Sequence, residues 1–99
     1  MGADRHIVVA RLRARRGMEE RLRRELFSLV PRVRTEEGCV RYDLHRSADD
    51  PSLFLFYEIW SCREAWEKHM DGLLLRSFAE AAADLLDGPI DITLWTLIE

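Results

Sequence analysis

The 99-residue sequence predicts an α+β fold: a four-stranded antiparallel sheet with helices packed on it. Three observations carry this. Segments with period-two patterning and segments with helical spacing follow one another in the order β, α, β, β, α, β. Each helical segment has a single apolar stripe, so each needs one surface to cover it. The strands expected over 53–60 and 90–98 are apolar on both sides, so the second face of the sheet needs a cover too.

The elements follow in order. Residues 6–13, HIVVARLR, place Val8, Ala10 and Leu12 on one face, with Ile7, Val9, Arg11 and Arg13 on the other. After Gly17, residues 18–34 take helical spacing, with Met18, Leu22, Leu26, Leu29, Val30 and Val33 in one stripe and Arg and Glu opposite. Pro31 is expected to kink or shorten the last turn. Residues 39–46, CVRYDLHR, alternate with Val40, Tyr42 and Leu44 on one side and Arg41, Asp43 and His45 on the other. The turn SADDPS leads to residues 53–60, LFLFYEIW, which show almost no alternation. Ser61 and Glu64 have the spacing of a capping box and open a second helix. It stops at Asp71-Gly72 and resumes over 73–87 with Leu74, Phe78, Ala81, Ala82, Leu85 and Leu86 inward. Gly88-Pro89 precedes the last strand, 90–98.

This order is the split βαβ arrangement of a ferredoxin-like fold, in one domain over residues 1–99. A second copy of the chain, sheet against sheet, is the economical cover for the other face, so a homodimer is expected.

Composition narrows the function. No apolar run has the length of a membrane span, and the first sixteen residues lack a signal peptide, so a cytoplasmic protein is expected. Cys39 and Cys62 have no CxxC spacing and read as reduced structural thiols. The net charge of −3 hides a basic first half and an acidic second half. The arginines are interspersed with Glu19, Glu20 and Glu25 and with no stacking aromatics, which describes a solvated face rather than a nucleic-acid surface. There is no GxGxxG, HExxH or Cys/His cluster.

Several residues then acquire a family context. Glu36-Glu37-Gly38-Cys39-x-x-Tyr42, Asp50-Pro51 and Glu58-x-Trp60-x-Cys62-x-x-Ala65-x-x-x-His69, in that order and spacing, resemble the antibiotic biosynthesis monooxygenase (ABM) domain. Cys62 stands where Ser is commoner. The resemblance covers nearly the whole chain and implies a dimeric α+β barrel of ferredoxin-like protomers. The family it implies includes cofactor-independent oxygenases of quinols and hydroxyaromatics, haem-degrading enzymes and an isomerase-like branch. The haem-degrading branch needs an Asn in the first strand and a proximal His. Residues 6–13 hold no Asn and residues 73–84 no His, which disfavours it.

Cofactor-free oxygenation needs a substrate that can itself reduce O₂ once deprotonated, a dry pocket and a base. His69, one helical turn after Trp66, is the candidate base; its other reading is a helix-terminal histidine that packs on Trp66. Tyr42 either orients a substrate oxygen or packs under the first helix. Trp60, Trp66 and Phe78 are candidate pocket walls, though large aromatics also make plain core. Glu58, a carboxylate in the most apolar strand, either meets substrate or pairs across the sheet with Arg41 or Arg11. His6 and His45 are read as exposed or partly exposed, without a role, and Trp95 as covering the dimer face. The leading expectation is a homodimeric monooxygenase that uses O₂, a small aromatic or quinol substrate and no cofactor or metal. The alternatives are a non-enzymatic barrel that binds a hydrophobic metabolite and an isomerase of a small oxygenated one.

Overall fold

The computed structural model describes residues 5–99. The reading of the N-terminus as leaderless rests in part on residues 1–4, which lie outside the described residues. The chain runs β1 (His6–Arg13), α1 (Glu19–Val33), β2 (Cys39–Arg46), β3 (Leu53–Trp60), α2 (Arg63–Asp71), α3 (Leu73–Ala82) and β4 (Asp91–Trp95). The sheet has the order β2-β3-β1-β4 with every neighbouring pair antiparallel, the ferredoxin-like topology expected. β1 and β3 are therefore its centre. Among the described residues no helix is long and apolar enough to cross a membrane.

The helices lie on one face only. Val8, Ala10 and Leu12 of β1 point into that layer, as their alternation requires. The stripe of α1 meets them: Leu22, Leu26, Leu29, Val30 and Val33 are all buried. Each such side chain contributes about 1.5–3 kcal/mol by leaving water. Glu19 and Glu20 in the first turn and Arg32 in the last favour the helix dipole. Pro31 lies inside α1 on its exposed side, and the helix continues to Val33.

β3 departs from the sequence reading. Its apolar residues mask a strict alternation: Phe54, Phe56, Glu58 and Trp60 are buried under the helices, while Leu53, Leu55, Tyr57 and Ile59 are half-buried on the opposite face. A strand's period is two whatever its residue types, and hydrophobicity alone could not display it here. β2 also departs. The register with β3 slips between Cys39 and Arg41, so Val40 is an extra residue and is 46% exposed, while Tyr42 is buried. His6 is half-buried rather than exposed, its ring 4.7 Å from that of Trp66.

The corner between β3 and α2 is not made by the expected capping box. Cys62 is the N-cap residue and no side chain caps the helix. Instead the Ser61 N–H donates to the Gly38 carbonyl at 2.8 Å. Gly38 has φ +85°, and a Cβ there would lie 2.5 Å from Ala65 Cβ and 2.8 Å from Ser61 Oγ. Close backbone approach thus replaces capping at this corner. Gly72, in an extended conformation, separates α2 from α3 as expected, but α3 ends at Ala82, short of residue 87.

Gly38→Ala meets both a left-handed backbone and an overlap with Ala65. We expect a loss of at least about 2 kcal/mol of stability, read as a lower urea midpoint with an unchanged denaturant slope.

Candidate functional site

Between the sheet and its helices lies a cavity of about 280 Å³. β1 supplies Val8, Ala10 and Leu12, β2 supplies Tyr42, and β3 supplies Phe56 and Glu58. Leu29 of α1, Trp66, His69 and Met70 of α2, and Leu75 and Phe78 of α3 face them, with Ile90 and Ile92 at the β4 side. Arg76, an exposed residue, is the one Arg or Lys in the lining among the described residues. The volume is near the small end for ligand cavities, which start at about 300 Å³.

His69 is set in the last turn of α2 and is 4% exposed. Its Nδ1 lies 2.9 Å from Glu36 Oε1. An ionised carboxylate only accepts, so Nδ1 carries a proton, and in the neutral ring Nε2 then keeps its lone pair. Among the described residues the ring's one hydrogen bond is that at Nδ1, and none reaches Nε2. The ring stacks on Trp60 at 4.7 Å and 30° and meets the edge of Tyr42 at 5.8 Å. Burial holds the imidazole below its ordinary pKa, against the hydrogen bond and charge of Glu36, which raise it.

Glu58 sits at the centre of the sheet, paired in register with Val8 on β1 and Tyr42 on β2. It is 4% exposed. Trp60 Nε1 donates to its Oε1 at 2.9 Å, and among the described residues no arginine bonds it. The expected partners Arg41 and Arg11 stand opposite Ile59 and Leu55, on the other face of the sheet, and Arg41 pairs with Asp43 instead. Burial pushes the Glu58 carboxyl up to about 7, opposed by the Trp60 hydrogen bond and assisted by the charge of Glu36. Burial, and then the nearby Glu58 and Glu36, also raise the Tyr42 phenol, which stays protonated.

The structure brings His69, Tyr42, Glu58, Trp66 and Phe78 together around one cavity. Trp60 is the exception. It is fully buried and outside the lining, where it braces Glu58 by its N–H and His69 by its ring face. Glu36 was not singled out from the sequence as a site residue. It lies 33 positions from His69 in a loop, where no periodicity links them. Trp66 Nε1 is buried without a partner among the described residues. No three His, Cys, Asp or Glu side chains among the described residues are grouped to hold a metal.

Glu58 makes stability depend on pH. Its folded pKa exceeds the ordinary 4.5, so the folded state holds the proton more tightly. The associated stability is complete below about pH 4.5 and is lost as pH rises through about 7. Glu58→Gln keeps the Trp60 bond through its amide oxygen and cannot ionise. Melting the variant and the parent at pH 5 and pH 8.5 is expected to show a relative gain for the variant at pH 8.5, up to about 3 kcal/mol.

Comparison with known proteins places this architecture. The family model for Antibiotic biosynthesis monooxygenase matches residues 5–83. Rv0793 of Mycobacterium tuberculosis, provisionally named a monooxygenase, is 33% identical over 86 residues, covering 87% of this chain and 84% of its own. An uncharacterized Synechocystis protein is 29% identical over 99 residues, covering 99% of this chain and 67% of its own. The crystal structure of PA3566 from Pseudomonas aeruginosa superposes with a TM-score of 0.92 at 30% identity, covering 100% of this chain and 99% of that one. With the motifs in order and the fold in common, the chain belongs to the antibiotic biosynthesis monooxygenase family.

Proposed function

We propose that this chain is a cofactor-independent monooxygenase that oxidises a quinol or a compact polycyclic phenol with O₂. The observation that carries the reading is His69, whose tautomer Glu36 fixes and whose Nε2 has no hydrogen-bond partner among the described residues, in a mainly apolar cavity. Nε2 takes a proton from the substrate, and the charge of Glu36 stabilises the imidazolium that forms. The resulting anion is electron-rich and gives an electron to O₂. Where the reacting carbon is an activated methylene, one oxygen atom becomes its carbonyl and the other leaves in water with the two hydrogens. Tyr42 donates to the substrate oxygen, and Trp66 and Phe78 wall the ring. The uncollapsed, mainly apolar cavity, family membership and the provisional name of the M. tuberculosis relative support this reading.

The catalytic unit we propose is a cytoplasmic homodimer. The sheet face without helices carries Ile7, Val9, Leu53, Leu55, Tyr57 and Ile59, which a second sheet would cover. A second reading, isomerisation of a small oxygenated compound, has one observation in its favour. Glu58 on the same cavity as His69 provides an acid and a base for keto–enol interconversion without O₂.

Oxygen uptake by metal-free protein with a panel of hydroquinones and anthrone-like phenols tests the first reading. Turnover above autoxidation is expected, falling at least about tenfold in His69→Ala. Solvent-deuterium exchange into ketones without any oxygen uptake would instead mark the isomerase. For the assembly, light scattering is expected to give twice the chain mass of 11.6 kDa, and Tyr57→Glu is expected to give the single mass.

A further inference from the structure

The cavity holds a carboxyl group that the chain leaves half used. Glu58 Oε1 accepts from Trp60 Nε1 at 2.9 Å. Among the described residues Oε2 has no hydrogen-bond partner, yet the residue lines the cavity at the centre of an apolar sheet. A buried ionised carboxylate would want several donors or a cation, and this one has a single indole. The uncharged acid fits the same surroundings. Its Oε1 accepts from Trp60 while an O–H on Oε2 is left to donate into the cavity.

We infer that Glu58 is a further catalytic residue, a neutral carboxylic acid that donates its O–H to a carbonyl or enol oxygen of a conjugated ketone, with His69 Nε2 as the matching acceptor for that substrate's acidic hydrogen. This rests on the reading of the cavity as the active site and names the substrate class of that site. The step balances. The C–H or O–H bond of the substrate breaks and its proton goes to Nε2. The electron pair left behind delocalises onto the carbonyl oxygen, which becomes an enolate and tightens its hydrogen bond from Glu58. The positive charge faces Glu36 and the negative charge faces Glu58, so each product charge has its own partner. A hydrocarbon ring would meet only the apolar wall and would leave both polar atoms unpaired.

Burial pushes the Glu58 carboxyl up to about 7, so it changes charge between about pH 6 and 8.5. Burial lowers the His69 imidazole from its ordinary value and raises the Tyr42 phenol, while Cys39, outside the cavity lining, is raised to about 11. Glu36, bonded to His69, faces Glu58 as a charge, and Arg76 brings a guanidinium from α3.

The test is equilibrium binding, under nitrogen, of 1-tetralone and tetralin, which differ by one carbonyl, followed by tryptophan fluorescence. In the parent protein the tetralone-to-tetralin affinity ratio is expected to fall about tenfold from pH 6 to pH 8.5, as the donor becomes an acceptor. Glu58→Gln retains an N–H donor and is expected to hold the pH 6 ratio at both pH values. Glu58→Leu is expected to show the low ratio at both. A ratio in the parent that does not move with pH overturns the assignment, as does a Gln variant that follows the parent. Failure of tetralone to bind at all overturns it too. If a variant does not fold, the parent's own pH profile decides. Because no turnover is measured, a pH-dependent ratio without oxygen uptake would sink the oxygenase reading and leave Glu58 as the acid. Oxygen uptake with a flat ratio would do the reverse.

Discussion

Four side chains of β3, Phe54, Phe56, Glu58 and Trp60, point into one helical layer, and the positions of nearly all the others follow from that. β3 is central in the sheet, between β2 and β1, and its Phe56 and Glu58 share the cavity with side chains of α2 and α3. Phe54 and Phe56 give the layer its apolar body. Phe56 stacks on Tyr42 at 4.4 Å, which sets the phenol beside Glu58 in the register of the two strands. Trp60 then joins the sheet to α2, because it binds Glu58 with its edge and His69 with its face. A pleated strand cannot turn one of these four away without turning all of them, so the site and the core share a single register.

That shared burial acts in opposite directions on the two titratable groups. Removing water disfavours charge, so the carboxyl of Glu58 rises and the imidazole of His69 falls. Below about pH 7 the carboxyl is mainly uncharged, and burial disfavours the charged imidazole too; the formal charge beside them is Glu36, which is only half-buried and bonds the imidazole at Nδ1. Such an interior admits an uncharged aromatic compound at little electrostatic cost and separates charge only when a proton moves. An acid and a base whose environments push their affinities apart are what proton transfer from carbon or a phenol requires. The monooxygenase and isomerase readings share this first step and part only afterwards, where O₂ does or does not take an electron.

The sequence disclosed the element order, the inward faces of β1 and α1 and the break at Gly72, because each is written in local periodicity or in a backbone-specific residue. It did not disclose the alternation of β3. Leu53, Leu55, Tyr57 and Ile59 are as apolar as the residues beneath them, and hydrophobicity cannot rank two apolar faces. The pairing of Glu58 with Arg41 or Arg11 failed for that reason: without a face assigned to each residue, a charge across the sheet looked available. His69, Tyr42, Glu58, Trp66 and Phe78 were legible as candidates, and the cavity gathers them. Glu36 was not, since a loop acid meets a helical histidine only through tertiary contact. Trp60 was legible as important but was misplaced, because a tryptophan that walls a pocket and one that braces the wall from behind have the same sequence signature.

The corner after Trp60 links these points. The spacing of Ser61 and Glu64 invites a capping box, yet Ser61 gives its backbone N–H to Gly38 and the helix starts from an uncapped Cys62. What fixes α2 is therefore steric. Gly38 lets the loop after α1 lie against Ala65, at a distance no other residue would allow. Glu36 is two residues before that contact and His69 one helical turn after it, so the same approach that seats the helix also delivers the carboxylate to Nδ1. A side-chain cap would have fixed where α2 begins but not its distance from the loop. The glycine contact fixes both, and with them the tautomer of the histidine on which the proposed chemistry turns.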